Sequence, residues 1–177
     1  DHYQASADAY DGGGLRWDQQ RELNIATTLL TGGRLAEAHE AFTAMLPKMT
    51  DGTLQYMGPD AHGSLATIAF FRGAYEEATH HLQQALSYCS FTVRPNTACW
   101  LNSHLAMGEF LLGHPESAAN RFTRYPPPES PTEMQGAEAL SHYALFRLQS
   151  GEHEEAEALW GVAESVMATH STLDKDG

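Results

Sequence analysis

The chain has 177 residues, a length that fits a single domain with its own core. Its formal net charge is −13, and its 10 lysines and arginines are scattered singly along the sequence. Without a basic stripe, direct binding to nucleic acid or to an anionic membrane surface is not expected. No apolar run approaches the ~20 residues of a membrane-spanning helix, and no signal peptide precedes the first predicted helix, so we expect a cytoplasmic location.

The polar segment at the start, residues 1–14, ends in three consecutive glycines. It is predicted to be a flexible lead-in or the end of a preceding repeat. Because the chain begins with Asp1 rather than methionine, we also expect it to be a piece of a longer protein that has further domains.

Apolar residues at three- and four-residue steps predict helices along the rest of the chain, and nothing alternates like a strand. Asp51-Gly52 and Gly58-Pro59 indicate a long connector after the second helix. The predicted helices cover about 15–31, 34–48, 60–72, 74–89, 95–112, 115–124, 131–150 and 152–169. They form units of about 15–50, 59–90, 95–126 and 131–169, one repeat domain over 15–170, and a frayed tail over 171–177.

Four glycines carry the same three apolar neighbours at fixed offsets. Gly73 has Ala66 seven residues before it, Ala78 five after it and Leu82 nine after it. The other sets are Ala26, Ala38 and Phe42 around Gly33, Ala106, Ala118 and Phe122 around Gly113, and Ala144, Ala156 and Trp160 around Gly151. The glycines are 40, 40 and 38 residues apart, and a fixed period of roughly 20–50 residues is typical of helical repeat proteins.

This pattern has a direct physical interpretation. Each glycine is predicted to make the turn between two helices, often with a positive φ. The alanines are expected where paired helices cross closely, and the large apolar residue is expected to fill the groove toward the next unit. Since no unit buries its apolar face alone, the sequence predicts an all-α, right-handed α-solenoid of about four antiparallel helix hairpins.

The stretch GAYEEATHHLQQAL, which begins at Gly73, resembles the second-helix signature of the tetratricopeptide repeat (TPR) family, and GRLAEAHEAFTAML from Gly33 is nearly as similar. GHPESAANRFTRY and GEHEEAEALWGVA are looser matches, and the resemblance covers about residues 15–169. The units are longer than the family's shortest repeat and lack its regular proline. The stretch from His62 to Phe122 also looks like the repeat arm of large bacterial signalling ATPases, which implies an effector-sensing or autoinhibitory role.

In the TPR family the first helices of the units line a concave groove, and the register transfers this face to the present chain. The resemblance does not extend to the Lys, Arg and Asn that clamp a peptide carboxylate in chaperone-binding members. We expect the partner mainly on units two and three, unless Phe71 and Trp100 pack between hairpins. The expected binding residues are Thr27, Thr67, Phe71, Trp100, Ser103, Met107, Ser141 and Leu145.

Ten histidines raise the alternative of a metal-dependent enzyme. Zinc takes three or four converging ligands, whereas His80 and His81 are adjacent and point about 100° apart on a helix. No nucleotide-binding or hydrolase motif is present either, so we expect no catalysis and no cofactor. Cys89 and Cys99 flank a predicted loop, and free thiols are favoured over a bridge.

The sequence therefore favours a non-catalytic scaffold that binds a protein, a peptide or a small effector in its groove, as the sensor or regulatory arm of a larger protein. A scaffold that self-associates through its end helices, and hence a homo-oligomer, is the alternative.

Overall fold

The computed structural model of the chain describes residues 2–49, 51–89 and 94–173. Every regular element in these three ranges is helical, which confirms the predicted all-α class. The α-helices are α1 (His2–Thr31), α2 (Leu35–Met45), α3 (Asp51–Phe71), α4 (Tyr75–Tyr88), α5 (Pro95–Leu111), α6 (Pro115–Arg124), α7 (Met134–Gln149) and α8 (His153–Leu173), with a 3-10 turn at Leu46–Lys48 after α2. In the described part of the chain, no helix is long and apolar enough to cross a membrane.

The four repeat glycines lie where predicted, in the turns α1–α2, α3–α4, α5–α6 and α7–α8. Gly33, Gly73, Gly113 and Gly151 have φ values of 73°, 71°, 84° and 86°, a region that a residue with a Cβ rarely adopts. The residue after each glycine donates its backbone N–H to the carbonyl oxygen of the residue five positions before it. In the first turn, Arg34 N donates to the carbonyl oxygen of Leu29 at 2.9 Å. This bond ties each turn to the last turn of the preceding helix.

The repeat alanines are buried at helix contacts in all four units. The large apolar residue nine positions after the glycine is buried in the first three units, as Phe42, Leu82 and Phe122. In the fourth unit it is Trp160, which is 47% exposed. The predicted packing toward a following unit therefore holds only where the described chain supplies that unit.

Replacing Ala66 or Ala106 by leucine is expected to lower the free energy of unfolding by roughly 1–3 kcal/mol, because both methyl groups are fully buried and extra atoms must push helices apart. Chemical denaturation of each variant measures the change. Ala44, on the exposed side of α2, is the matched control, and its leucine variant should stay within about 0.5 kcal/mol of the wild type. Wild-type stability in both buried variants would show that these alanines are not at close crossings.

The predicted connector before the third helix is wrong, because α3 begins at Asp51 and runs through Pro59. A proline inside a helix costs about 3 kcal/mol. The first core cluster consists mainly of buried residues of α1, α2 and α3 around Phe42. Met57, on the N-terminal side of the proline, is fully buried in this cluster, and Leu54 packs against it. Burial of such a side chain contributes roughly 1.5–3 kcal/mol, so the two together offset the proline.

The helical turn before Pro59 also has an external hydrogen-bond donor. Arg94, just before α5, donates from Nη1 to the carbonyl oxygen of Tyr56 at 2.8 Å. Its Nη2 lies 3.1 Å from a carboxylate oxygen of Asp60. The guanidinium thus joins the start of α5 to α3 at the proline, where the backbone ladder is interrupted.

Three other helix limits differ from the prediction. Helix α1 begins at His2, so the residues predicted as a lead-in continue the first helix, glycines included. Helix α7 begins at Met134, a few residues later than predicted, because Pro131 and its neighbours lie in an irregular segment. Helix α8 continues to Leu173, past the predicted end of the last unit, and the rest of the predicted tail lies outside the described residues.

The two cysteines are free thiols, as expected. Partial burial raises the pKa of both Cys89 and Cys99, so both favour the neutral thiol.

Helix α5 packs closely against α3 and α4 on one side and against α7 on the other. A Cβ added at Gly63 in α3 would lie 2.6 Å from the Trp100 ring of α5, and one added at Gly108 in α5 would lie 2.6 Å from Thr79 Cγ2 of α4. Real side chains do not approach so closely, so these two positions need glycine. The candidate site lies on the α3–α5–α7 side.

Candidate functional site

A cavity of about 250 Å³ opens between α3, α5 and α7. We call it the groove cavity, and it is lined by Thr67, Phe70, Phe71, His104, Met107, Leu111, His142 and Leu145. None of these side chains carries a permanent charge.

The lining residues recur one repeat apart, so the cavity is made by three successive units presenting the same helix face. The equivalent sets, 40 or 38 residues apart, are Thr67, Met107 and Leu145, then Phe71 and Leu111, and then His104 and His142.

The rim of the groove cavity is apolar and exposed. Phe71 is 70% exposed, Leu111 is 47% exposed and Leu145 is 39% exposed. Met107 also lines the cavity, but it is buried. Large apolar side chains clustered around a concavity are characteristic of surfaces that bind another molecule.

Two histidines form the polar part of the groove cavity. The rings of His104 and His142 meet edge to face with centroids 4.1 Å apart. Burial, aided by His104, lowers the pKa of His142 to about 3, and burial lowers the pKa of His104 to about 4. Both rings are therefore neutral near pH 7.

The hydroxyl of Ser103 lies behind this pair, 3.1 Å from Nδ1 of His142. A serine and a histidine at this distance resemble a nucleophile with its base. The Ser103 hydroxyl, however, donates its hydrogen to the carbonyl oxygen of Trp100 at 2.8 Å. Nδ1 of His142 must then be the donor, so it offers no lone pair to remove a proton from the serine.

Trp100 is anchored as part of the wall beside the groove cavity. Its ring packs over the bare Cα of Gly63, and Nε1 donates to a carboxylate oxygen of Glu138 at 2.5 Å. Burial raises the pKa of Glu138, although the indole hydrogen bond acts in the opposite direction. Trp100 is half-buried, which matches the alternative that it packs between hairpins, whereas Phe71 does not pack in this way.

The structure divides the predicted binding residues into two groups. Four of them line the groove cavity: Thr67, Phe71, Met107 and Leu145. The other four lie outside its lining: Thr27, Trp100, Ser103 and Ser141.

Those four side chains all hydrogen-bond within their own helices or to a neighbouring helix. Thr27 is exposed on α1 and donates to the carbonyl oxygen of Leu23, while Ser141 donates to the carbonyl oxygen of Glu138. Ser103 is buried and serves His142, as described above.

The predicted binding residues did not include Phe70, His104, Leu111 and His142, which also line the groove cavity. The repeat spacing could have identified Leu111, His104 and His142. Leu111 is one repeat after Phe71, and His104 lies one position past Ser103 on the same helix. The two histidines are themselves one repeat apart, which would have paired them.

A second histidine cluster joins α3 to α4. Nδ1 of His62 and Nδ1 of His81 are 3.1 Å apart, so one must donate and the other accept. His62 also stacks on the ring of Tyr88, with centroids 6.1 Å apart. Burial lowers the pKa of His62 to about 4, with the neighbouring histidines acting in the same direction.

A metal ion does not fit this second cluster as arranged. Within residues 2–49, 51–89 and 94–173, no group of three or more His, Cys, Asp or Glu side chains converges well enough to hold one. Beside this cluster, an Oε atom of Glu77 in α4 lies 3.6 Å from Nε2 of His39 in α2.

Comparison of the chain with known protein-family models, with curated protein sequences and with solved structures finds no match in any of the three.

Proposed function

We propose that this chain is a non-catalytic binding scaffold, a TPR-like right-handed stack of helix hairpins that receives an apolar group of a partner in the groove cavity. The single observation that carries the proposal is the exposure of Phe71, Leu111 and Leu145 around that cavity. An exposed aromatic beside a concave, uncharged surface has the composition of an interface core. Following the sequence resemblance, we propose a protein, peptide or small effector as ligand and a sensing role within a larger protein.

Phe71 is expected to be the energetic anchor of this surface. Because its ring is largely exposed before binding, it gains the most burial when a partner covers it. Replacement by alanine should weaken binding by ~2 kcal/mol, about 30-fold, as for an aromatic hot spot. Selection from a random peptide display library on the immobilised wild-type chain supplies ligands, and fluorescence anisotropy of the selected peptides measures the dissociation constants.

The control is Trp17, an aromatic on α1 that is 77% exposed and outside the groove cavity. Its alanine variant should bind the selected peptides as the wild type does. Both variants should also melt at the wild-type temperature, since neither side chain is buried. A library that yields no peptide sensitive to the Phe71 replacement would contradict the proposal.

Self-association is a second candidate, favoured by one specific feature. A cavity of about 440 Å³ lies between α7 and α8, with Trp160 exposed beside it. In the third unit, the equivalent Phe122 contacts the rings of Tyr143 and Phe146 of the following helix α7. Sedimentation velocity across a hundredfold range of concentration tests this candidate, which requires an oligomer in the wild type that the Trp160→Ala variant loses.

A further inference from the structure

The polar atoms that line the groove cavity share a property that bears on its ligand. They belong to three side chains, Thr67 of α3, His104 of α5 and His142 of α7. At neutral pH each of these side chains has one O–H or N–H hydrogen, and each already donates it in a hydrogen bond to another group of the protein.

The hydroxyl of Thr67 donates to the carbonyl oxygen of Gly63, one turn earlier, at 3.1 Å. Its lone pairs remain available to an outside donor.

The ring of His104 has its tautomer set by the backbone. Its Nδ1 lies 3.0 Å from the carbonyl oxygen of Trp100, which can only accept, so Nδ1 carries the hydrogen. The neutral ring then presents a lone pair at Nε2.

The ring of His142 has its tautomer set through Ser103. Because the serine gives its one hydrogen to the carbonyl oxygen of Trp100 at 2.8 Å, its oxygen accepts from Nδ1 of His142 at 3.1 Å. His142 therefore also presents a lone pair at Nε2.

Neither Nε2 atom hydrogen-bonds to another described residue. The fully buried side-chain nitrogen and oxygen atoms that lack a partner in the described ranges are Gln19 Oε1 and Arg147 Nε, and the two histidine nitrogens are not among them. Both Nε2 atoms are thus open to a molecule in the cavity.

We infer that the groove cavity selects a group with an apolar stem that ends in a hydrogen-bond donor, an amine or an alcohol, and rejects a carboxylate. The inference rests on the proposed binding function and defines its ligand class. A carboxylate would place its lone pairs against those of Thr67, His104 and His142 with no donor to receive them, and such unmatched buried polar groups are costly. The depressed pKa values of both histidines keep this preference in force near neutral pH.

Two further features favour the amine among the donors. The rings of Phe70 and Phe71 line the cavity, and aromatic faces attract ammonium groups. The chain carries a net charge of −13, which raises the local concentration of cations and lowers that of anions.

Four small probes with a common phenyl stem test the inference: 2-phenylethylamine, 2-phenylethanol, the methyl ether of 2-phenylethanol, and 3-phenylpropanoate. Each is titrated into the chain at pH 7.5, and the NMR shifts of the histidine ring protons give the dissociation constant. The alcohol should bind roughly fivefold more tightly than its ether, which differs by the donated hydrogen. The amine should bind at least tenfold more tightly than the carboxylate, a ratio that combines the donor match with the charge.

Variants locate the effect. Thr67→Val removes one acceptor while keeping the shape, and His142→Leu removes another; each should bring the alcohol-to-ether ratio toward one. Thr28→Val is the matched control, because the Thr28 hydroxyl also bonds to its own helix but lies exposed on α1. Since His142 supports Ser103, the Thr67 variant decides the matter if the His142 variant unfolds.

The outcomes separate the two proposals. If the ether or the carboxylate binds as tightly as the alcohol, the donor preference is overturned, while binding in the cavity stands. If Phe71→Ala leaves all four dissociation constants unchanged, or no probe shifts any histidine signal, the groove cavity is not the binding site and both proposals fail.

Discussion

Replacing Phe42 by alanine is expected to lower the free energy of unfolding by about 3–5 kcal/mol. The ring is fully buried in the first core cluster, among Met45, Leu65 and Ile68. Removing it deletes apolar burial and leaves a void that neighbours on three helices cannot all close. Urea denaturation followed by circular dichroism measures the change.

The matched variant is Trp160→Ala, at the same position of the fourth unit. The side chain is larger than that of Phe42, yet 47% of it is already in water, so its loss should cost clearly less than the loss of Phe42. The ratio of the two effects, rather than either value, tests the packing role. Equal losses would mean that the nine-after-glycine position does not act through burial against a following unit.

This contrast shows why the sequence could predict most of the fold. The glycine, the two alanines and the large apolar residue recur because each turn and crossing has the same local geometry, as the four positive φ values confirm. Trp160 has the same local sequence pattern as Phe42, but its burial depends on what lies beside the unit. No pattern within the unit contains that information.

The start of α3 was mispredicted for a different reason. Glycine and proline together at Gly58-Pro59 are normally a sign of a loop. Here Gly58 lets the helix approach Tyr88, since a Cβ would lie 3.2 Å from Cδ2 of that ring, and the donor from Arg94 serves the helical turn before the proline. Both contacts come from residues outside α3, Tyr88 in α4 and Arg94 before α5, so the local sequence does not show them.

Half of the predicted binding residues line the groove cavity. The repeat register selects one side of each first helix, and on that side Thr67, Phe71, Met107 and Leu145 line the groove cavity. The register could not distinguish Trp100 from that set, because the indole packs over the bare Cα of Gly63, which lies two helices earlier in the chain. His104 and His142 could have been paired by their spacing of one repeat, but their neutrality depends on burial, which is a property of the assembled helices.

The free energy of unfolding is expected to fall as the pH is lowered from 7.5 to 5. Burial lowers the folded-state pKa of His62 and His104 to about 4 and that of His142 to about 3. In the unfolded chain each ring has a pKa of ~6.5. Between these values the unfolded state binds protons that the folded state does not, so protonation favours unfolding.

The contribution of each ring is present in full above pH ~6.5 and is lost progressively below it. At pH 5, some 1.5 units under the unfolded pKa, each ring costs up to roughly 2 kcal/mol at 1.36 kcal/mol per unit. Glu138 acts in the opposite direction, since its raised pKa lets the folded state bind a proton more readily. Burial and His80 lower the pKa of His81 as well, so it acts in the same direction as the other three histidines. Together the four rings outweigh this one carboxyl, and the unfolding free energy still rises with pH.

Urea denaturation at pH 7.5 and at pH 5 measures how the free energy of unfolding changes with pH. Single variants show which histidines cause the change. His62→Gln should remove part of the pH dependence, because it deletes one of the rings whose folded-state pKa is lowered. The control for the substitution itself is His114→Gln, at an exposed ring in the α5–α6 turn. A wild-type chain equally stable at both pH values would mean that these rings accept protons within the fold. The groove cavity would then carry donors at pH 5, and its preference for an amine over a carboxylate should reverse there.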